Sequence, residues 1–284
     1  MDVIVAQTAG FCFGVKRAVN MVYDAVAEGG VLYTYGPIVH NEQVISDLEA
    51  KGVRVLNGDE NIASLEKGTV IIRAHGVSKE IYNQLLQSGM KIIDATCPFV
   101  KKIHNTVAKA SKEGDSIVVI GSKNHPEVQG IVGWCESLED ATVIENASEA
   151  DNLVAEGNRR ITVVSQTTFQ IGKFQELVEI LHKKGYYINV VNTICNATEE
   201  RQAEARLIAS EVDAMIVIGG SKSSNTQKLY EICSCECAHT QYIQTVKDLD
   251  FAEAESLSRV GITAGASTPK KIIEEVQNYV RINF

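Results

Sequence analysis

No apolar run in the chain approaches the ~20 residues that a membrane-spanning helix needs. No basic cluster precedes an apolar stretch at the N-terminus, where Met1-Asp2-Val3-Ile4-Val5-Ala6-Gln7 reads as a short strand. The sequence therefore predicts neither a membrane span nor a secretory leader, and a cytoplasmic location. Proline is scarce, with four residues, and glycine is ordinary at 21, which excludes collagen-like and Pro-rich disordered chains. Positive charge is in the minority: 27 Lys and Arg stand against 36 Asp and Glu, for a formal charge of −9. With no basic stripe standing out, the sequence predicts no nucleic-acid partner. The same deficit denies an anionic ligand long-range attraction, so a bound phosphate must be met by locally oriented donors. The seven cysteines are odd in number and lack the spacing of a secreted disulfide scaffold, which predicts reduced thiols. At 284 residues and 45% hydrophobic content, the chain is long enough for two or three small domains.

Three of the cysteines occupy matching places. Cys12, Cys97 and Cys195 follow the short runs Val3-Ile4-Val5-Ala6, Lys91-Ile92-Ile93-Asp94 and Ile188-Asn189-Val190-Val191. Each precedes a helix-like stretch, over 15–28, 98–113 and 197–211. Val100, Ile103, Val107 and Ala110 recur at helical spacing in the second of these. Pro98 suits a first helical position, where a missing N–H costs nothing. A further strand follows in each repeat, over 31–35, 116–120 and 214–218, and ends in a glycine and a polar turn. The last two of these share Val-Ile-Gly followed by Ser-Lys. A later strand in each repeat, near 70–72, 161–165 and 260–263, again ends in a polar turn. Strands alternating with helices predict parallel sheets with right-handed crossovers, whose ligands bind at the carboxyl ends of the strands. The expected fold class is α/β, with three pseudo-threefold-related units whose parallel sheets surround a central iron–sulfur cavity. The units run over 13–96, 97–193 and 194–284, and the N-terminal strand within 1–12 completes the third.

The turns offer a specific chemistry. A lone cysteine is usually a small core residue. Three at equivalent places, each at a helix N-terminus that favours thiolate, point to a metal site instead. A cubane iron–sulfur cluster normally takes four cysteines, so three leave one iron open. Zinc, with three protein ligands and a water, is the competing metal. Cys233, Cys235 and Cys237, with His239 close by, have no counterpart in the other repeats and read as surface thiols; Cys135 reads as packed. His40, His75 and His125 lie in strand-end turns. Each alone reads as structural, but together they offer imidazole donors suited to a phosphate oxygen. His104, His182 and His239 lie outside those turns. Gly219-Gly220-Ser221-Lys222-Ser223-Ser224-Asn225-Thr226 resembles a phosphate cradle ahead of a helix, set against ordinary capping by Ser and Asn. Ser267 has the same double reading, with Thr268 as the cap. Glu127 follows His125-Pro126 in the first turn of a helix. It either complements the helix dipole or faces the ligand cavity. In the second case an anionic cluster and phosphates would raise its pKa and make it a proton donor, with Thr167 as relay.

Together these segments resemble the 4-hydroxy-3-methylbut-2-enyl diphosphate reductase family, which performs the last step of the methylerythritol phosphate route to isoprenoids. The likeness runs through Gly10-Phe11-Cys12-Phe13-Gly14-Val15, Gly36-Pro37-Ile38-Val39-His40-Asn41 and Arg73-Ala74-His75-Gly76-Val77. It continues in Asp94-Ala95-Thr96-Cys97-Pro98, His125-Pro126-Glu127-Val128, Gln166-Thr167-Thr168 and Thr193-Ile194-Cys195. Ser221-Lys222-Ser223-Ser224-Asn225-Thr226 and Thr263-Ala264-Gly265-Ala266-Ser267 complete it, so it spans essentially the whole chain.

The resemblance implies that Cys12, Cys97 and Cys195 hold a [4Fe–4S] cluster, whose fourth iron meets the allylic hydroxyl of the substrate. It implies diphosphate binding by His40, His75, His125, Ser223, Ser224, Asn225 and Ser267, and protons from Glu127 with Thr167, which also touches substrate. The products would be isopentenyl and dimethylallyl diphosphates. The two electrons would come from an external ferredoxin- or flavodoxin-type carrier. A zinc hydrolase using the same thiolates, and a redox-sensing or phosphometabolite-binding module, are the alternatives, separated by metal identity and by turnover.

Overall fold

The computed structural model describes residues 2–58, 60–155, 159–250 and 257–283. Runs of aliphatic and β-branched residues form the strands. In chain order these are β1 (Asp2–Val5), β2 (Leu32–Tyr35), β3 (Val53–Leu56), β4 (Thr69–Ile72), β5 (Lys91–Asp94), β6 (Ser116–Ile120), β7 (Ala141–Ile144), β8 (Ile161–Ser165), β9 (Ile188–Val190), β10 (Ala214–Ile218), β11 (Thr240–Ile243) and β12 (Arg259–Ala264). The helices are α1 (Phe13–Glu28), α2 (Glu42–Ala50), α3 (Lys79–Gln87), α4 (Pro98–Lys112), α5 (Pro126–Val132), α6 (Ala147–Asn152), α7 (Ile171–Lys183), α8 (Asn196–Ala209), α9 (Ser224–Glu236) and α10 (Lys270–Asn283).

Among the described residues the strands form three four-stranded sheets, and every pairing in them is parallel. The orders are β11-β10-β12-β1, β3-β2-β4-β5 and β7-β6-β8-β9. These are one winding repeated three times, and the expected α/β class with three parallel sheets is what the chain adopts. In each order the last strand leads into one cysteine: β1 to Cys12, β5 to Cys97 and β9 to Cys195. The registers level the carboxyl ends of neighbouring strands, pairing Tyr35 with Ile72, Ile120 with Ser165 and Ile218 with Ala264. The turns that follow each pair therefore begin side by side.

The chain divides into two bodies. One comprises Met1–Lys16, Val39–Asp47 and Asn196–Phe284, and contains the sheet β11-β10-β12-β1. Ile216, Ile218, Val260 and Ile262 pack there on Ile272, Ile273, Val276 and Val280 of α10. On the other face, Met215 and Val217 meet Ala205, Ile208 and Leu229 of α8 and α9. Cys233 and Cys237 belong to this second cluster and are buried, contrary to their reading as surface thiols. Cys233 on α9 and Cys237 at its C-cap are four residues apart and face inward together, and of the three cysteines here Cys235 alone is exposed. Burial pushes the Cys233 thiol up to about 12.

The other body comprises Arg17–Ile38 and Leu48–Cys195, and contains the remaining two sheets. Ile117, Val119 and Val164 pack on Ile103 and Val107 of α4 and on Val128 and Ile131 of α5. Val118, Ile120, Ile161 and Val163 face Phe174, Leu177 and Leu181 of α7. Tyr33, Tyr35, Val70 and Ile72 enclose Leu85 of α3. Each such side chain contributes roughly 1.5–3 kcal/mol on burial, which holds the strand ends firmly under their turns. Cys135 is packed as expected, and burial pushes its thiol up to about 11. No helix among the described residues is long and apolar enough to cross a membrane.

Candidate active site

Pro126 occupies the first position of α5, and the His125 ring caps that helix: its Nδ1 accepts the Glu127 N–H at 3.1 Å. A neutral His125 with Nδ1 as acceptor carries its proton on Nε2 and can donate it outward. The cap places Glu127 in the first turn of the helix, where the residue is 2% exposed. Two residues past β8, Thr167 reaches this carboxyl with its N–H, 2.6 Å from Oε1, and with its hydroxyl, 2.8 Å from Oε2. Burial pushes Glu127 up to about 7, against the downward pull of the two Thr167 hydrogen bonds. The direction is the one expected from the sequence. Its cause in this structure is desolvation by burial. The pair can store a proton near neutral pH, and a hydroxyl that both donates and accepts can pass it on.

His75 stands in the turn after β4, with its ring centroid 5.3 Å from that of His125 and the two planes nearly perpendicular at 83°. Two rings behind this turn, one buried and one half-buried, were not singled out from the sequence. His104 on α4 stacks on Trp134, with centroids 5.3 Å apart and planes 17° from parallel. Burial holds the His104 pKa down at about 4, so the ring is neutral. Trp134 Nε1 donates to the Val77 carbonyl at 2.8 Å, and the Lys79 N–H donates to the Gly133 carbonyl at 3.1 Å. The turn carrying His75 is thus tied to the far end of the helix that His125 begins. The available signal was His104's place four residues after Val100 and one after Ile103, on the inward face of α4.

In the other body, Ser223 caps α9. Its Oγ accepts the Thr226 N–H at 3.3 Å and the Thr226 hydroxyl at 2.9 Å, so the ordinary capping role is realised. Both bonds use Ser223 as acceptor and leave its proton as the group to offer a phosphate oxygen. Ser224 is the first residue of the helix. Asn225 accepts the Ala266 N–H through Oδ1 at 3.1 Å, which orients its amide NH2 as a donor. Gly265 lies so close to Thr226 that a β-carbon there would collide with the threonine hydroxyl. Ser267 donates to the His40 carbonyl at 2.9 Å, so its hydroxyl is engaged in this structure. Thr268 is not the expected cap: its hydroxyl donates to the Ile218 carbonyl at 3.0 Å, and α10 begins only at Lys270.

Each of the three matched cysteines is anchored through its backbone. The N–H of Cys12 donates to the Ala266 carbonyl at 3.3 Å, that of Cys97 to Ala74 at 2.9 Å and that of Cys195 to Thr167 at 3.0 Å. The approach to each is held as well. Glu204 accepts the Gln7 and Thr8 N–H groups at 2.7 and 2.9 Å, and Asp94 Oδ1 accepts the Thr96 N–H at 2.9 Å. Thr193 accepts the Ser165 N–H at 2.7 Å and donates to the Ser165 carbonyl at 2.6 Å. Arg17 lays its guanidinium along the carbonyls of Asp94, Ala95 and Thr96 at 3.3–3.5 Å. All three cysteines are half-buried, outside any disulfide and directly ahead of a helix, and Cys97 caps α4 without using its side chain. Half-buried cysteines on a backbone held this way fit metal–thiolate ligands. The fully buried Cys233 does not.

Parallel sheets with thiols, imidazoles and a buried carboxyl in the turns at their carboxyl edges are the architecture of an α/β enzyme. Residues 3–281 match the LytB protein family, and the chain belongs to it. A relative from Caldanaerobacter subterraneus subsp. tengcongensis, named 4-hydroxy-3-methylbut-2-enyl diphosphate reductase, is 46% identical over 97% of this chain and 95% of its own. One of the same name from Clostridioides difficile is 43% identical over 99% of both chains. Among solved structures, the E-1-hydroxy-2-methyl-but-2-enyl-4-diphosphate reductase of Plasmodium falciparum superimposes with a TM-score of 0.91 at 31% identity, covering 99% of this chain and 87% of that one. The family expected from the sequence is borne out, and the chain is an oxidoreductase.

Proposed function

We propose that this chain reduces 4-hydroxy-3-methylbut-2-enyl diphosphate to isopentenyl and dimethylallyl diphosphates. The allylic C–O bond breaks, the carbon skeleton gains two electrons and one proton, and the oxygen leaves as water with a second proton. The reading rests above all on the buried Glu127–Thr167 pair, a proton store near neutral pH in a family of reductases. Cys12, Cys97 and Cys195 hold three irons of a [4Fe–4S] cluster, in line with their matched strand-to-helix positions. When bound, that cluster supplies electrons singly and one iron without a thiolate ligand as Lewis acid. The residues around it bind and orient. His40, His75, His125, Ser223, Ser224, Asn225 and Ser267 donate to the diphosphate, a remote handle whose binding energy positions the hydroxyl. Ser267 gives up its bond to His40 to do so. Glu127 in its acid form delivers a proton toward the leaving oxygen, and Thr167 relays and contacts the substrate.

The three-unit division at 13–96, 97–193 and 194–284, with 1–12 completing the third, belongs to this reading and is supported by the thrice-repeated strand order. So do a cytoplasmic setting and an external ferredoxin- or flavodoxin-type donor. Anaerobic purification with iron and sulfide analysis, followed by turnover with reduced methyl viologen, tests the proposal. About four irons per chain and consumption of the hydroxy-diphosphate are expected. Zinc in place of iron, or a loaded cluster without turnover, overturns it.

A further inference from the structure

We propose that the exposed face of α4 is the docking surface for a small acidic one-electron carrier protein. The inference rests on the reductase reading, which requires two electrons from outside, and it adds where the carrier binds. The chain carries a formal charge of −9, yet α4 contains no acidic residue and four lysines, Lys101, Lys102, Lys109 and Lys112. The helix buries Val100, Ile103, His104, Val107 and Ala110, which turns Lys102, Asn105, Lys109 and Lys112 to solvent as one stripe. A shallow groove of about 430 Å³ runs along it, lined by Pro98, Lys101, Lys102, Asn105, Thr106 and Lys109.

The acids near this stripe are few. Asp94 pairs with Lys101 at 2.7 Å at one end. At the other, Glu113 is 3.9 Å from Lys109 and shared with Arg160 at 3.3 Å, while Asp115 pairs with Arg160 at 2.9 Å. Lys102 and Lys112 have no acidic partner among the described residues. The stripe also has an apolar anchor: Phe99, two residues from Cys97, is 44% exposed. An exposed aromatic beside a basic rim is the composition of a protein-binding patch.

Charge complementarity selects an acidic occupant. On a chain of net charge −9, a basic stripe fixes the orientation of encounter as well as its rate. The position of the stripe selects an electron carrier, because the helix that bears it begins at the residue after Cys97. Two reduced carriers bound in turn each give up one electron, matching the two that the proposed substrate takes up.

The test compares the cluster-loaded wild-type enzyme with the triple variant Lys102→Glu, Lys109→Glu, Lys112→Glu. Three readouts are used: turnover with reduced acidic ferredoxin, turnover with reduced methyl viologen, and calorimetric binding of the ferredoxin at low and high salt. The variant is expected to raise the KM for ferredoxin roughly tenfold or more and to lose the salt-sensitive binding, with viologen-driven turnover and iron content unchanged. Phe99→Ala is expected to weaken ferredoxin binding while keeping its salt dependence. Unchanged ferredoxin binding in the triple variant overturns the docking surface. So does an equal loss with both donors, which marks a general structural defect. Wild-type enzyme that fails with viologen but binds ferredoxin through these lysines overturns the reductase reading and leaves the docking surface standing.

Discussion

Thr167 grips the Glu127 carboxyl at both oxygens, by N–H to Oε1 at 2.6 Å and by O–H to Oε2 at 2.8 Å. The two groups come from different strand-end turns, after β6 and β8, which the level register brings side by side. Glu127→Gln keeps the shape and removes the proton. Turnover is expected to fall by two orders of magnitude or more, as for loss of a general acid, with iron content unchanged. The wild-type pH–rate profile is expected to decline as pH rises through about 7, where Glu127 loses its proton, and the variant to lack that limb. Stability follows the same group. The folded state holds this proton more tightly than the unfolded chain, whose value is 4.5, so its stabilising contribution is complete below that pH and is lost as pH rises through about 7. Denaturant titrations between those limits should show a shallower pH dependence in Glu127→Gln than in wild type.

Thr167→Val separates relay from placement. It retains the N–H to Oε1 and deletes the hydroxyl, which pulls the Glu127 pKa down. Without it the carboxyl titrates higher still, so the alkaline limb of the profile should move to higher pH. The rate at its maximum is expected to drop roughly tenfold, the equivalent of one hydrogen bond. A profile that does not move would place the hydroxyl outside the proton path.

Much of this arrangement was legible in the sequence, and the omissions share a cause. Strands at 116–120, 161–165 and 214–218 have the bounds read from their aliphatic runs, because central parallel strands are buried on both faces and read as continuous apolar stretches. The strands not singled out, β3, β7 and β11, each form one edge of their sheet. Val53-Arg54-Val55-Leu56 and Thr240-Gln241-Tyr242-Ile243 mix polar with apolar residues and are only partly buried, so the burial that makes a strand readable is missing. The Glu127–Thr167 pairing was expected, since both residues lie in strand-end turn regions of the same unit. The stack of His104 on Trp134 was not, because it depends on how α4 packs against the end of α5, which sequence spacing does not encode. Cys233 and Cys237 were misread as surface thiols because nothing in the other repeats matches them, whereas the packing of α9 and its C-terminal end buries both in the core.

Cysteine replacement distinguishes the matched set from the rest. Cys12→Ser, Cys97→Ser and Cys195→Ser are each expected to lower iron and sulfide content sharply after anaerobic reconstitution, since a cubane needs its thiolates. Cys235→Ser, at an exposed position on α9, should leave both at the wild-type level. Full iron content in any of the first three variants would remove that residue from the ligand set.

The turn that carries His75 depends on a glycine. Gly76 has φ +74, and a β-carbon there would stand 2.6 Å from His104 Cε1 and 3.0 Å from Thr96 Cγ2. His104 has little room to yield, being buried and stacked on Trp134. Gly76→Ala therefore incurs both left-handed backbone strain and overpacking, together on the order of 2–4 kcal/mol. In a chain of this length that lowers Tm by several degrees. His104→Ala removes the obstructing ring and leaves the backbone strain, so the double variant should be less destabilised than the two single variants added together. Thermal unfolding of all four proteins measures this coupling. Strict additivity would mean that the His75 turn does not rest on the His104 ring.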